Sequence, residues 1–124
     1  MKILIIDDDA DIRSIARLSL SRVGGMEVIE ASGGAEGVRK AQDEKPDVIL
    51  LDMMMPTMDG METLAALRSQ PETASTPVIF LTAKAAENQL DRMTSLGAAG
   101  VLKKPFDPRT LSEDVRALVN RHRD

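Results

Sequence analysis

Four short apolar runs punctuate the chain, and each gives way at once to polar residues. They are Ile3-Leu4-Ile5-Ile6 before Asp7-Asp8-Asp9, Val48-Ile49-Leu50-Leu51 before Asp52, Val78-Ile79-Phe80-Leu81 before Thr82, and Val101-Leu102 before Lys103-Lys104-Pro105. Runs this short and rich in β-branched residues predict strands buried on both faces, the habit of parallel strands. Met26 to Glu30 predicts a further short strand. The segments between them carry helical periodicity. Ile12, Ile15, Ala16, Leu20 and Val23 form one apolar stripe that Gly24-Gly25 stops. Ala35, Val38 and Ala41 form the inner face of a second helix that must end before Pro46. Asp59 is placed to cap a third helix with Glu62 at the capping-box position and Leu64 and Leu67 inward. A fourth helix is expected from Ala85 to Leu96, stopped by Gly97. Asp107, followed by Pro108 at the first helical position, opens a fifth with Leu111, Val115, Leu118 and Val119 on one face.

Five strands alternating with five helices predict an α/β fold, a doubly wound three-layer sandwich on a parallel sheet. These residues do not fix the strand order. In open parallel sheets, ligands bind beyond the carboxyl ends of the strands. Asp7, Asp8, Asp52, Thr82 and Lys104, scattered along the sequence, are therefore expected to converge on one site.

Composition narrows the classes. The 124 residues suffice for one domain with a real core, and 43% hydrophobic with 29% charged residues is a globular rather than a disordered balance. A net charge of −4 argues against a direct nucleic-acid surface. The basic cluster Arg116, Arg121, His122 and Arg123 closes the last helix, where cations complement the helix dipole. Cysteine is absent, which removes thiol nucleophiles and thiolate zinc sites, and the single histidine, His122, lies in that basic end rather than among the acidic residues. No apolar run approaches the ~20 residues of a membrane span, and Asp7 cuts the first run too short for a signal peptide. The expectation is a cytoplasmic chain without membrane insertion.

The residue types suit one chemistry, the metal-assisted transfer of a phosphoryl group onto a carboxylate. A carboxylate such as Asp52 and a phosphoryl donor repel each other, so the site must supply positive charge. Asp7 and Asp8 can hold Mg²⁺, which favours one or two carboxylates together with phosphate oxygens and water. Lys104 adds a point charge and Thr82 a hydroxyl donor for the phosphoryl oxygens. Asp9 or Asp11 is read instead as a helix cap. Crowding carboxylates costs about 4 kcal/mol per pair at 4 Å and an effective dielectric of 20, which a purely structural role would not repay. The methionines at 53, 54, 55, 58 and 61 are read as gap fillers near the site and under the third helix.

Along its whole length the chain resembles the receiver domain of two-component response regulators. The resemblance rests on Asp7-Asp8 after the first strand, Asp52 followed by Met55-Pro56 and Asp59-Gly60, Thr82-Ala83 after the fourth, and Lys104-Pro105-Phe106 after the fifth. It implies a flavodoxin-like (βα)5 fold with strand order 2-1-3-4-5 and a single receiver domain over residues 1–124, with no output domain. It further implies that Asp52 is the phosphoacceptor and that Asp7, Asp8, Asp52 and the main-chain carbonyl of Met54 hold Mg²⁺. Thr82 and Lys104 then act on the phosphoryl group, Lys103 is an outer neighbour, and the Lys104–Pro105 bond is cis. The implied partners are a histidine kinase or phosphotransfer protein and a downstream protein that reads the surface of the fourth helix, fifth strand and fifth helix, the chain itself being a monomer or weak dimer. Such a domain is a signalling phosphoacceptor and not a turnover enzyme.

Three other readings stand beside this one. An aspartate-nucleophile phosphatase of the dehalogenase type carries a second aspartate two residues after its nucleophile, where this chain has Met54. A nucleotide or flavin binder needs a Gly-rich or Ser/Thr-rich phosphate loop where this chain has Asp7-Asp8-Asp9. A pseudo-receiver, an interaction module without phosphorylation, would not be expected to keep all five key residues. The chain departs from the family pattern at Val101, where many receivers have an aromatic residue. Met54 and Lys84 occupy positions that govern water access to the phosphoryl group.

Overall fold

The computed structural model describes residues 1–83, 93–95 and 97–123. It contains strands β1 (Lys2–Ile6), β2 (Glu27–Ala31), β3 (Val48–Asp52), β4 (Val78–Thr82) and β5 (Gly100–Lys103), with helices α1 (Ala10–Leu18), α2 (Gly34–Glu44), α3 (Gly60–Arg68) and a C-terminal helix (Leu111–Arg123). All strand pairs are parallel and the order is β2-β1-β3-β4-β5, as the resemblance implied. Most of the expected fourth helix lies outside the described residues. Among the described residues no helix is long and apolar enough to cross a membrane.

The unbroken apolar runs follow from burial on both faces. Side chains alternate across a strand, so Leu4, Ile6, Ile49, Leu51 and Phe80 pack on one face with Ala41, Leu64 and Leu67 of α2 and α3. Ile3, Ile5, Leu50, Ile79 and Leu81 face the other way, onto Ala16 and Leu20 and onto Leu111, Val115 and Val119. The caps match the sequence signals. Asp9 caps α1 by accepting from the main-chain N–H groups of Asp11 and Ile12, and Asp59 and Glu62 form a reciprocal capping box on α3.

The structure differs from expectation at two helix faces, one helix start and one methionine. Ile15 and Val23, expected to point inward, are 44% and 62% exposed. The face that packs is the narrower row of Ile12, Ala16, Ser19 and Leu20, and from Ser19 to Val23 the chain widens into a π-helical turn that rotates Val23 outward. In α2, Val38 and Ala41 pack inward as expected, but Ala35 is exposed and Gly34 and Gly37 are buried in its place. A Cβ on Gly37 would collide with the Ile6 side chain, so an alanine here would force Ile6 to shift. The C-terminal helix begins at Leu111, not Pro108, because the Asp107 carbonyl accepts from both Thr110 and Leu111 and closes a tighter preceding turn. Met53, Met55 and Met61 are buried fillers, but Met54 is 72% exposed beside the site.

Candidate functional site

Every polar residue that follows a strand lies at the same carboxyl edge of the sheet. Ile6 pairs with Leu51, so Asp7 and Asp52 leave β1 and β3 side by side. Thr82 ends β4 opposite Lys103, and the Lys104 N–H donates to the Thr82 carbonyl at 2.9 Å. The Lys104–Pro105 peptide is cis.

Asp7, Asp8 and Asp52 each bring a carboxylate oxygen within 4.8 Å of the others. Asp7 and Asp52 are buried, whereas Asp8 is exposed at the rim. Lys104 reaches over them, its Nζ 3.0 Å from Asp7 Oδ2 and 3.1 Å from Asp52 Oδ1. Asp7 Oδ1 accepts from the Asp9 N–H at 2.9 Å, which turns Oδ2 toward the cluster. That buried Oδ2 lies at ion-pair distance from Lys104 but receives no aligned hydrogen bond. Asp52 Oδ1 also accepts from the Met54 N–H at 3.3 Å. Thr82 is buried at the end of β4, and Lys103 is exposed, an outer neighbour as expected. Lys84 lies outside the described residues.

Two buried carboxylates share one ammonium, and that imbalance sets the electrostatics. Burial first, and then repulsion from Asp7, push the Asp52 carboxyl up to about 6, against the pull of Lys104 and the Met54 N–H. Burial works to lower the Lys104 ammonium, but its contacts with Asp7 and Asp52 outweigh that, and its pKa is raised. The site is an electron-rich pocket short of positive charge. An orphaned buried oxygen on Asp7 and three convergent carboxylates are a donor set that fits a hard divalent cation.

Local packing fixes the end of β3. A Cβ on Gly60 would stand 2.7 Å from the Asp52 carbonyl and 2.8 Å from Met53 Cα, so only glycine lets α3 start this close to the end of β3. Thr57, in the loop between them, adopts a left-handed backbone with φ +70°, uncommon for a β-branched residue. Arg13 escaped the sequence reading. Its guanidinium donates to the Asp7 carbonyl at 2.6 Å, and the trace in the sequence is a cation about one helical turn after the acidic run.

The response regulator receiver domain family model matches residues 3–116. The chain belongs to this family. The receiver domain is 41% identical over 122 residues to the alkaline phosphatase synthesis transcriptional regulatory protein PhoP of Bacillus subtilis, covering 97% of this chain and 49% of that protein. It is 42% identical over 122 residues to the transcriptional regulatory protein CpxR of Escherichia coli, covering 97% and 50%. The chain thus spans about half the length of these curated relatives. The chemotaxis protein CheY4 of Vibrio cholerae superposes with a TM-score of 0.89 at 36% identity, covering 94% of this receiver and 97% of that chain. A CheY-like response regulator receiver domain protein of Methanospirillum hungatei gives 0.85 at 29% identity, covering 98% and 95%.

Proposed function

We propose that residues 1–124 act as one phosphoacceptor unit in which Asp52 takes a phosphoryl group from a phosphohistidine on a kinase or phosphotransfer protein. An Asp52 carboxylate oxygen attacks phosphorus as the phosphorus–nitrogen bond breaks. The electron pair of that bond stays on the departing imidazole, and Asp52 becomes an acyl phosphate. The single observation that carries this reading is the buried carboxylate pair, Asp7 and Asp52, under one lysine, with Asp52 at the end of the central strand.

Each residue has a role that follows from its position. Lys104 offsets charge on Asp52 and on the incoming phosphoryl oxygens. Thr82, buried on the neighbouring strand, contributes a hydroxyl donor once those oxygens arrive. Asp7, Asp8 and Asp52, with the main-chain carbonyl of Met54, would hold magnesium, whose chemistry when bound is to offset negative charge on carboxylates and phosphoryl oxygens. Asp7 is held in place for this by its bond to the Asp9 N–H.

The surface supports a protein as donor. Ile15, Leu18 and Val23 are exposed and, with Arg22, Pro108 and Arg109, line an almost wholly apolar groove of about 360 Å³. One wall is α1, which starts at the acidic loop, and the other is the turn that follows Lys104-Pro105. Output passes to a second protein through the face of β5 and the C-terminal helix, in a cytoplasmic setting. Incubation with acetyl phosphate and Mg²⁺, followed by intact-mass measurement, tests the reading. Wild type should gain one phosphoryl group and Asp52→Asn none. Equal uptake by both would overturn the assignment, and no uptake by wild type would leave an interaction module in its place.

A further inference from the structure

Asp7 is held at four points, and two of them lead to the same neighbour strand. Its N–H donates to the Ala31 carbonyl at 3.1 Å, and its carbonyl accepts from Arg13 Nη1 at 2.6 Å. Arg13 is in turn held by Glu30, with Nε 3.4 Å from Oε1. Glu30 and Ala31 are consecutive at the end of β2, so Asp7, Arg13 and Glu30 close a ring that clamps the peptide carrying the buried carboxylate. Lys40 donates to the Glu30 carbonyl at 2.6 Å and steadies that strand end from α2. Arg13 and Glu30 are largely buried for charged side chains, at 19% and 28% exposure. Arg17 also pairs with Glu30, through Oε2 at 3.2 Å, from an exposed position on α1.

We propose that Arg13, anchored by Glu30, is a positioning residue that fixes the Asp7 peptide and thereby sets the affinity of the acidic cluster for a divalent cation. The proposal rests on the magnesium reading above. It predicts a sign that charge alone does not. A guanidinium near a cation site repels the cation, so a residue acting only through its charge would, when removed, let the cation bind more tightly. A residue acting through orientation would, when removed, weaken binding, as loss of an outer-shell partner typically does by about 10- to 100-fold.

The test is a Mg²⁺ titration by calorimetry at constant ionic strength on wild type, Arg13→Gln, Arg17→Gln and Glu30→Gln. Arg13→Gln should raise the dissociation constant about tenfold. Glu30→Gln should move it the same way by less, because Arg13 then keeps its bond to Asp7 but loses its anchor. Arg17→Gln removes the same charge from the same helix and should change it by less than about twofold, being exposed. Arg13→Lys should recover part of the affinity. In chelator, the amide resonance of Asp9, whose N–H is bonded to Asp7 Oδ1, should shift in Arg13→Gln and stay put in Arg17→Gln. Urea midpoints in chelator establish that each variant is folded, and Glu30→Gln keeps the test open if Arg13→Gln is not. Unchanged or tighter binding by Arg13→Gln, or equal weakening by Arg17→Gln, would overturn the proposal. Absence of Mg²⁺ binding in wild type would instead overturn the magnesium reading, and the proposal with it.

Discussion

Replacing Asp52 with asparagine should stabilise the metal-free protein at neutral pH, although it removes one partner of a buried lysine. Asp52 lies 4% exposed, and its pKa is raised from 3.8 to about 6 by burial and by Asp7. The folded state therefore holds the Asp52 proton more tightly than the unfolded chain does. The stability this contributes is fully present below about pH 4 and is lost as pH rises through about 6. The difference between 3.8 and about 6 corresponds to about 3 kcal/mol, an upper bound that solvent at the open edge reduces to about 1–2 kcal/mol. Asparagine keeps the shape and the Oδ1 acceptor for Lys104 and the Met54 N–H, but it carries no charge to repel Asp7. Urea unfolding in chelator at pH 7.5 should show Asp52→Asn more stable by about 1–2 kcal/mol, a rise of roughly 3–8 °C in Tm for a domain of this size. At pH 4.5 the two proteins should nearly coincide. A variant less stable than wild type at pH 7.5, or a gain of equal size at both pH values, would refute the electrostatic account of the site.

Three further outcomes follow from the same geometry. Mg²⁺ at about a hundred times its dissociation constant should stabilise wild type by about 2.7 kcal/mol. Asp8→Asn, at the exposed rim, should remove most of that gain with little change in the metal-free melt. Gly60→Ala should cost about 1–3 kcal/mol in urea unfolding, because its Cβ meets the main chain of Asp52 and Met53 rather than a flexible side chain, and it should slow phosphorylation by moving the acceptor. Thr57→Gly should raise stability by about 1 kcal/mol by relieving a left-handed β-branched residue, and a lower melting temperature would show that the threonine side chain itself holds the loop.

The parts of the fold set by burial were legible, and those set by phase were not. Ile3 to Ile6 and Val48 to Leu51 read as strands because alternate residues face two different layers and both layers are apolar. Asp59 and Glu62 read as a capping box because that bond pattern is local. In α1 the inward positions Ile12, Ala16 and Leu20 were legible, while Val23 was misplaced because a π-helical turn at Ser19–Val23 leaves no mark in a 3.6-residue period. In α2, Val38 and Ala41 face inward as read, and only Ala35 was misplaced, because glycine serves where the helix meets Ile6. Asp7, Asp8, Asp52, Thr82 and Lys104 could be named because each ends a strand or follows one within two residues, so one rule about strand ends gathers them. The strand order came from resemblance alone, since a crossover connection does not state which side of the sheet it joins. Arg13 was invisible because its role depends on β2 ending beside β1, a pairing no local spacing records.

The central claim is that Asp52 carries the phosphoryl group. The most direct test treats wild type with acetyl phosphate and Mg²⁺, traps the acyl phosphate by borohydride reduction, and maps the product by peptide mass spectrometry. The account predicts homoserine at position 52 alone, absent in chelator and absent from Lys104→Ala at early times. Reduction at Asp7, at Asp8 or at no residue would contradict it.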